Sequence, residues 1–244
     1  MKLLAFDTST DGMSIAVSRD DGGAAGLWQQ QGAGGAKAST GLIAGVLELM
    51  RQSGLELREL DAICFGCGPG SFTGLRTACA VAQGLAFGAN VPVLPVNSLL
   101  AVAEAARHDG LATLASVQVT ALLDARMDEI YAASFLYADG AWTEVQAAHV
   151  LRPEAITLPA STWTQAAAGN VFAVYGARLD SLPADAVRLH ALPLATAMLR
   201  LAPQLLAEGR AVPAAQALPT YIRDKVAQTT AERAAIKAAQ AAAA

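Results

Sequence analysis

Residues 61–76 read DAICFGCGPGSFTGLR, and this stretch limits the fold more than any other. Ala62, Ile63, Cys64 and Phe65 form a short apolar run, as a buried parallel strand requires. Gly66-Cys67-Gly68-Pro69-Gly70 then breaks any regular element. Ser71 and Thr73 stand where a helix N-cap would stand, and Leu75, Ala78, Ala82, Leu85 and Ala86 follow at helical spacing. The unit is strand, glycine turn, helix. Two readings of its glycines stay open. A helix start with free N–H groups and no bulky neighbours is an anion site. Alternatively, glycine simply permits a sharp turn and close packing. Pro69 removes one donor, and no Lys follows as a phosphate-loop motif requires.

The rest of the chain arranges itself around this unit. Lys2–Asp7, Met13–Ser18 and Ala25–Gln31 alternate as strands, with hairpin signals at Asp11-Gly12 and at Asp20-Asp21-Gly22-Gly23. Residues 32–36 link them to a helix over Ala38–Ser53. The strand and helix of the glycine unit come next, then a strand at Val91–Pro95 and a helix at Ser98–Arg107. Hairpins followed by crossovers give a mixed sheet with helices on its faces. The pattern then begins again with strands at Ser116–Asp124, Glu129–Tyr137 and Thr143–Val150. Aligning Asp7 with Asp124 puts Asp11 on Asp128, Met13 on Ile130 and Ala16 on Ala133 without a gap. Two related lobes with a cleft between them follow: 1–110, then 111–225, with an Ala-rich tail over 226–244. In the second copy a short helix is expected at Pro153–Leu158, a strand at Val171–Tyr175 and a helix at Leu192–Glu208.

Each copy places an acidic turn after its first strand. Asp7, Thr8, Ser9 and Thr10 in the first, and Asp124 in the second, are candidates to face a phosphate or its metal, together with Gly68, Gly70, Ser71 and Thr73. The competing reading is that both aspartates cap turns at strand ends. Seventeen of the 21 glycines fall at or before Gly110, so the second half carries no glycine-rich nucleotide pocket. Arg126 stands where a small residue would let backbone approach a phosphate. No metal site is expected, since His108, His149 and His190 form no HxxxH or HExxH pair. No catalytic residue is expected, as Ser71 lacks a GxSxG setting.

Net charge of −4 and a pI of about 5.4 argue against a dedicated nucleic-acid binder, which carries a basic face. Cys64, Cys67 and Cys79 read as reduced thiols of a cytoplasmic protein. The start of the chain has too short an apolar run for a signal peptide, and no run suits a membrane span.

Three segments, LLAFDTST (3–10), GPGSFTGLR (68–76) and LLDARMDEIYAA (122–133), occur in that order, and with them the chain resembles the TsaB family, also called YeaZ, from residue 1 to about 225. The resemblance implies an actin, sugar kinase and heat-shock ATPase-like fold with two ribonuclease H-like lobes. It implies a non-catalytic subunit that dimerises with the catalytic TsaD subunit. That enzyme moves a threonylcarbamoyl group from an adenylate to the adenosine beside the anticodon of tRNAs reading A-starting codons. The ATPase TsaE is a third component, tRNA is met only through the complex, and the isolated chain can pair with itself. No cofactor is tightly held, beyond weak or interfacial ATP or ADP with Mg. The helices at 38–53 and 71–88 carry apolar and small residues over wide arcs, so the fold or a partner must cover both sides. The resemblance makes that cover a partner, with Leu42, Val46, Leu49, Phe72, Leu75, Ala78 and Ala82 as contacts. The chain departs from the family at Ala38-Ser39, where a His-Ser pair is usual. A stand-alone ATP-dependent kinase or ATPase of the same superfamily is the alternative, and a metallopeptidase a third.

Overall fold

The computed structural model describes residues 1–20, 26–34 and 38–223. The tail at 226–244 lies outside them, as does part of the 32–36 link. The first half contains β1 (Lys2–Asp7), β2 (Gly12–Arg19), β3 (Gly26–Ala33), α1 (Ala38–Ser53), β4 (Ala62–Gly68), α2 (Phe72–Ala89), β5 (Val93–Asn97) and α3 (Ser98–Gly110). The second contains β6 (Val117–Arg126), β7 (Glu129–Ala138), β8 (Ala141–Leu151), β9 (Gln165–Gly169), α4 (Phe172–Tyr175), β10 (Val187–His190) and α5 (Ala195–Ala207).

The five strands of each half form one sheet, ordered β3-β2-β1-β4-β5 and β8-β7-β6-β9-β10. The orders are the same when counted within each half. In both, an antiparallel meander is extended by two parallel strands. The duplication is therefore real. Its register is not gapless, however. Asp7 faces Ser14, whereas Asp124 faces Ile130 and not Tyr131. The second hairpin is one residue tighter and carries a bulge between Asp124 and Arg126.

Two expectations for the second half need correction. Val171–Tyr175 is not a strand: Phe172–Tyr175 is one helical turn, and the strand is the preceding QAAAG of β9. Burial fixes β9, not propensity, since its three alanines are fully enclosed between neighbours. Pro153–Leu158 gives only a 3₁₀ turn at Pro153–Ala155.

The lobes share a core. One cluster joins β1 and β4 residues such as Ala5 and Cys64 to β6 residues such as Val119 and Leu123, through Leu99 and Val102 of α3 and Met198 and Leu201 of α5. The helices cross over to build it: α3 lies against β6 and β7, while α5 returns to cover β1 and β2. Glu104 of α3 locks this junction. Its buried carboxylate accepts from Arg107 Nε at 2.8 Å, Arg200 Nε at 2.7 Å and Trp142 Nε1 at 3.0 Å. Burial opposes its charge, but these bonds outweigh burial and hold the carboxyl below its usual range. Each lobe also has an outer core. In the first, α1 and α2 cover β1, β2 and β4 through Leu42, Val46, Ala78 and Ala82.

Candidate functional site

The glycine unit folds as its sequence requires, with Ser71 as the N-cap of α2 accepting from the Gly74 N–H at 3.5 Å. The start of α2 is already occupied by the first acidic turn. Ser71 donates its N–H to the Ser9 carbonyl at 2.7 Å, and the Thr8 hydroxyl donates to the Gly74 carbonyl at 2.7 Å. A Cβ at Gly74 would lie 1.8 Å from the Thr8 carbonyl oxygen, and one at Gly70 2.6 Å from that of Ser9. A Cβ at Gly68, whose φ is 117°, would lie at the same distance from the Thr220 carbonyl oxygen. These glycines serve close packing of protein on protein. Thr73 is exposed on the first turn of α2.

Asp7 is enclosed. Oδ1 accepts the N–H and the hydroxyl of Ser9, both at 2.7 Å, and Oδ2 accepts from Ser98 Oγ at 3.3 Å. Burial dominates these bonds and pushes its pKa up to about 6. It caps the turn as an Asx motif and does not face the cleft. Thr10 closes the same turn, with Gly12 N–H donating to its hydroxyl at 3.2 Å. Asp124 accepts from Tyr175 Oη at 2.8 Å and from the Arg126 N–H at 2.9 Å.

Between the two turns lies Arg126, from β6. Its Nη2 reaches across to Asp11 Oδ2 at 2.5 Å, while Nη1 stands 3.3 Å from Asp124 Oδ2. A guanidinium thus bridges the acidic turns of the two halves. Around it is an interlobe cavity of about 260 Å³, lined by Ser9, Thr10, Ser71, Asn170 and Tyr221 among others. The first acidic turn packs on the start of α2, and Asp11 and Asp124 both pair with Arg126. The link from Asp11 to Arg126 escaped sequence reasoning, since it spans 115 positions; the alignment of Asp11 with Asp128 was the only hint of it. Among the described residues no three His, Cys, Asp or Glu side chains come together as a metal site.

The expected contact residues need a correction too. Leu42, Val46, Leu49, Leu75, Ala78 and Ala82 are buried in the lobe's own core, and only Phe72 is exposed. The face that α1 and α2 turn outward is instead Ile43 and Leu47, with Thr73, Ala80, Gly84 and Phe87. Phe87 is 83% exposed. Nothing lies within 4 Å of where side chains would begin at Gly84 and Gly88. These glycines line an open groove with Leu57 and Leu85.

Fold and cleft together define a two-lobed, duplicated α/β protein with an arginine between the acidic turns of its two halves. A family model described as TsaD, tRNA N6-adenosine threonylcarbamoyltransferase, matches residues 37–241. The tRNA threonylcarbamoyladenosine biosynthesis protein TsaB of Escherichia coli K12 is 32% identical over 233 residues, 93% of this chain and 96% of that protein. The protein of the same name from Haemophilus influenzae is 32% identical over 236 residues, covering 93% and 95%. The solved structure of YeaZ from Pseudomonas aeruginosa aligns with TM-score 0.78 and 35% identity, over 90% of this chain and 99% of that one. The chain belongs to the TsaB (YeaZ) family.

Proposed function

We propose that this chain works in tRNA threonylcarbamoyladenosine biosynthesis as a non-catalytic subunit that docks on, and holds active, a TsaD-like catalytic subunit. The role in that pathway follows its TsaB relatives. The observation that carries the non-catalytic reading is Arg126, which bridges Asp11 and Asp124 across the cleft and neutralises the acidic turns of both halves. The docking face is the outer side of α1 and α2. Its apolar and small residues, led by Phe87 and Leu47, lack cover in the isolated fold. Gly84 and Ala80 let a partner helix approach closely. A TsaE-like ATPase joins the assembled pair, tRNA meets this chain only through the complex, and no nucleotide is tightly held by it alone. In the absence of the catalytic subunit the same face allows self-pairing. No described helix is long and apolar enough to cross a membrane.

The stand-alone kinase reading would need a cleft open to magnesium–ATP, and the same arginine opposes it. A transferase assay tests the assignment. The purified chain alone yields no threonylcarbamoyladenosine on tRNA, and product appears once the catalytic subunit and the ATPase are added. Product from the chain alone would overturn the reading.

A further inference from the structure

The segment Leu218–Arg223 crosses the mouth of the interlobe cavity and grips both lobes. On the first lobe, Thr220 donates its N–H to the Cys67 carbonyl at 2.7 Å, at the end of β4. The Tyr221 ring lies 5.4 Å from that of Phe72, and its hydroxyl accepts from Arg76 Nε at 3.0 Å. Arg76 in turn stacks over Phe72, 3.8 Å from the ring centroid. The first turn of α2 is thereby tied to the segment. Two residues on, Arg223 belongs to the other lobe. Its Nη2 donates to the Glu129 carboxylate and, at 3.3 Å, to the Arg126 carbonyl, while Nη1 stands 3.4 Å from Met127 Sδ.

The turn that Arg223 holds is under strain. Arg126, Met127 and Asp128 are all left-handed, at φ 61°, 55° and 65°, and none is glycine. Side chains disfavour that region, and such a run persists only where its surroundings impose it. Three contacts do so: Arg223 on the Arg126 carbonyl, Arg126 on Asp11, and Arg178 on Asp128. Loosening the segment removes one of them and gives the turn a reason to relax.

We infer that Leu218–Arg223 is a latch coupling the cleft to the partner face. Closed, it keeps Phe72 and Arg76 against Tyr221 at the N-terminal end of α2. Open, it yields those side chains to a partner and uncovers the cavity. Its use in assembly rests on the docking role proposed above. A catalytic subunit that engages the first turn of α2 must open the latch, so whatever opens it favours docking. The coupling is reciprocal.

The test uses the full chain with Arg223→Ala, which removes a side chain bonded to Arg126, Met127 and Glu129 of the second lobe, beside Tyr221→Ala. Glu129→Gln weakens the Arg223 contact from the opposite lobe and serves if Arg223→Ala fails to fold. Hydrogen exchange is read on the isolated chain. Arg223→Ala speeds exchange in the 126–129 turn and, remotely, at 73–77, by about fivefold or more at each. Affinity for the catalytic subunit, by titration calorimetry, rises by about fivefold for both alanine variants. Faster exchange confined to 126–129 overturns the latch. So does weaker docking by Tyr221→Ala with Arg223→Ala unchanged, which would make Tyr221 a plain contact. A wild-type chain that does not dock would sink the assembly role, while the exchange result would still decide for or against the latch.

Discussion

Gly74 is a glycine for the sake of its neighbour. A methyl group there would meet the Thr8 carbonyl at 1.8 Å, backbone against backbone, so neither side can give cheaply. Gly74→Ala is expected to cost about 3 kcal/mol or more, read as a lower urea midpoint with an unchanged slope. Asp7 makes a second prediction. Its folded pKa, about 6, lies above the ordinary value of 3.8, so the folded state holds the proton more tightly. Its contribution to stability is full below the unfolded value and is lost as pH rises through the folded one. Between roughly pH 4 and 7 the wild type should lose about 3 kcal/mol from this group. Asp7→Asn can keep both Ser9 bonds through its oxygen and donate to Ser98. It should lack that loss and be the more stable protein near neutral pH, by urea unfolding at a series of pH values. A variant weaker than wild type at neutral pH would mean that the carboxylate is favoured as an ion. Sequence placed Asp7 at a strand end and left capping and nucleotide contact open. Only the fold brings Ser98, 91 positions away, onto its second oxygen and decides for the cap.

At the scale of elements, the bounds of α1 were legible to the residue, and Ser71 was legible as the cap of α2, because periodicity and capping chemistry are local. Which face of these helices looks outward was not. Both carry apolar or small residues over most of their circumference, so composition cannot separate core from docking face. The sheet settles it by taking Leu42, Val46, Ala78 and Ala82 into its own core. The same limit hid β9, whose QAAAG has no β-branched residue and is a strand only because it pairs with both β6 and β10. Substitutions must respect this division. Ala78→Arg puts a charge into the core and should unfold the lobe. Gly84→Glu puts one on the outer face, where glutamate is also the better helix former. Gly84→Glu and Leu47→Glu should each weaken docking at least tenfold in pull-down titrations, which corresponds to about 1.4 kcal/mol, and leave the thermal midpoint within a few degrees. Undiminished docking by both would place the partner elsewhere.

The whole molecule was legible in outline. A repeated acidic turn and a repeated strand pattern announced two lobes, and the five-strand order recurs in each. What no local pattern announced is how the lobes join. α3 and α5 each cover the sheet of the opposite half, and Glu104 of α3 ties them through Arg200 of α5. A boundary drawn at residue 110 separates the sheets but not the core. With a shared core and an arginine across the cleft, the two lobes are joined as one body that presents a surface. The account therefore stands or falls on assembly. The most direct measurement is light scattering on a sizing column, with this chain alone and then mixed with the TsaD-like protein of the same organism. A one-to-one heterodimer that displaces any homodimer is the expected result. Two separate peaks at concentrations well above micromolar, with magnesium–ATP present, would contradict it.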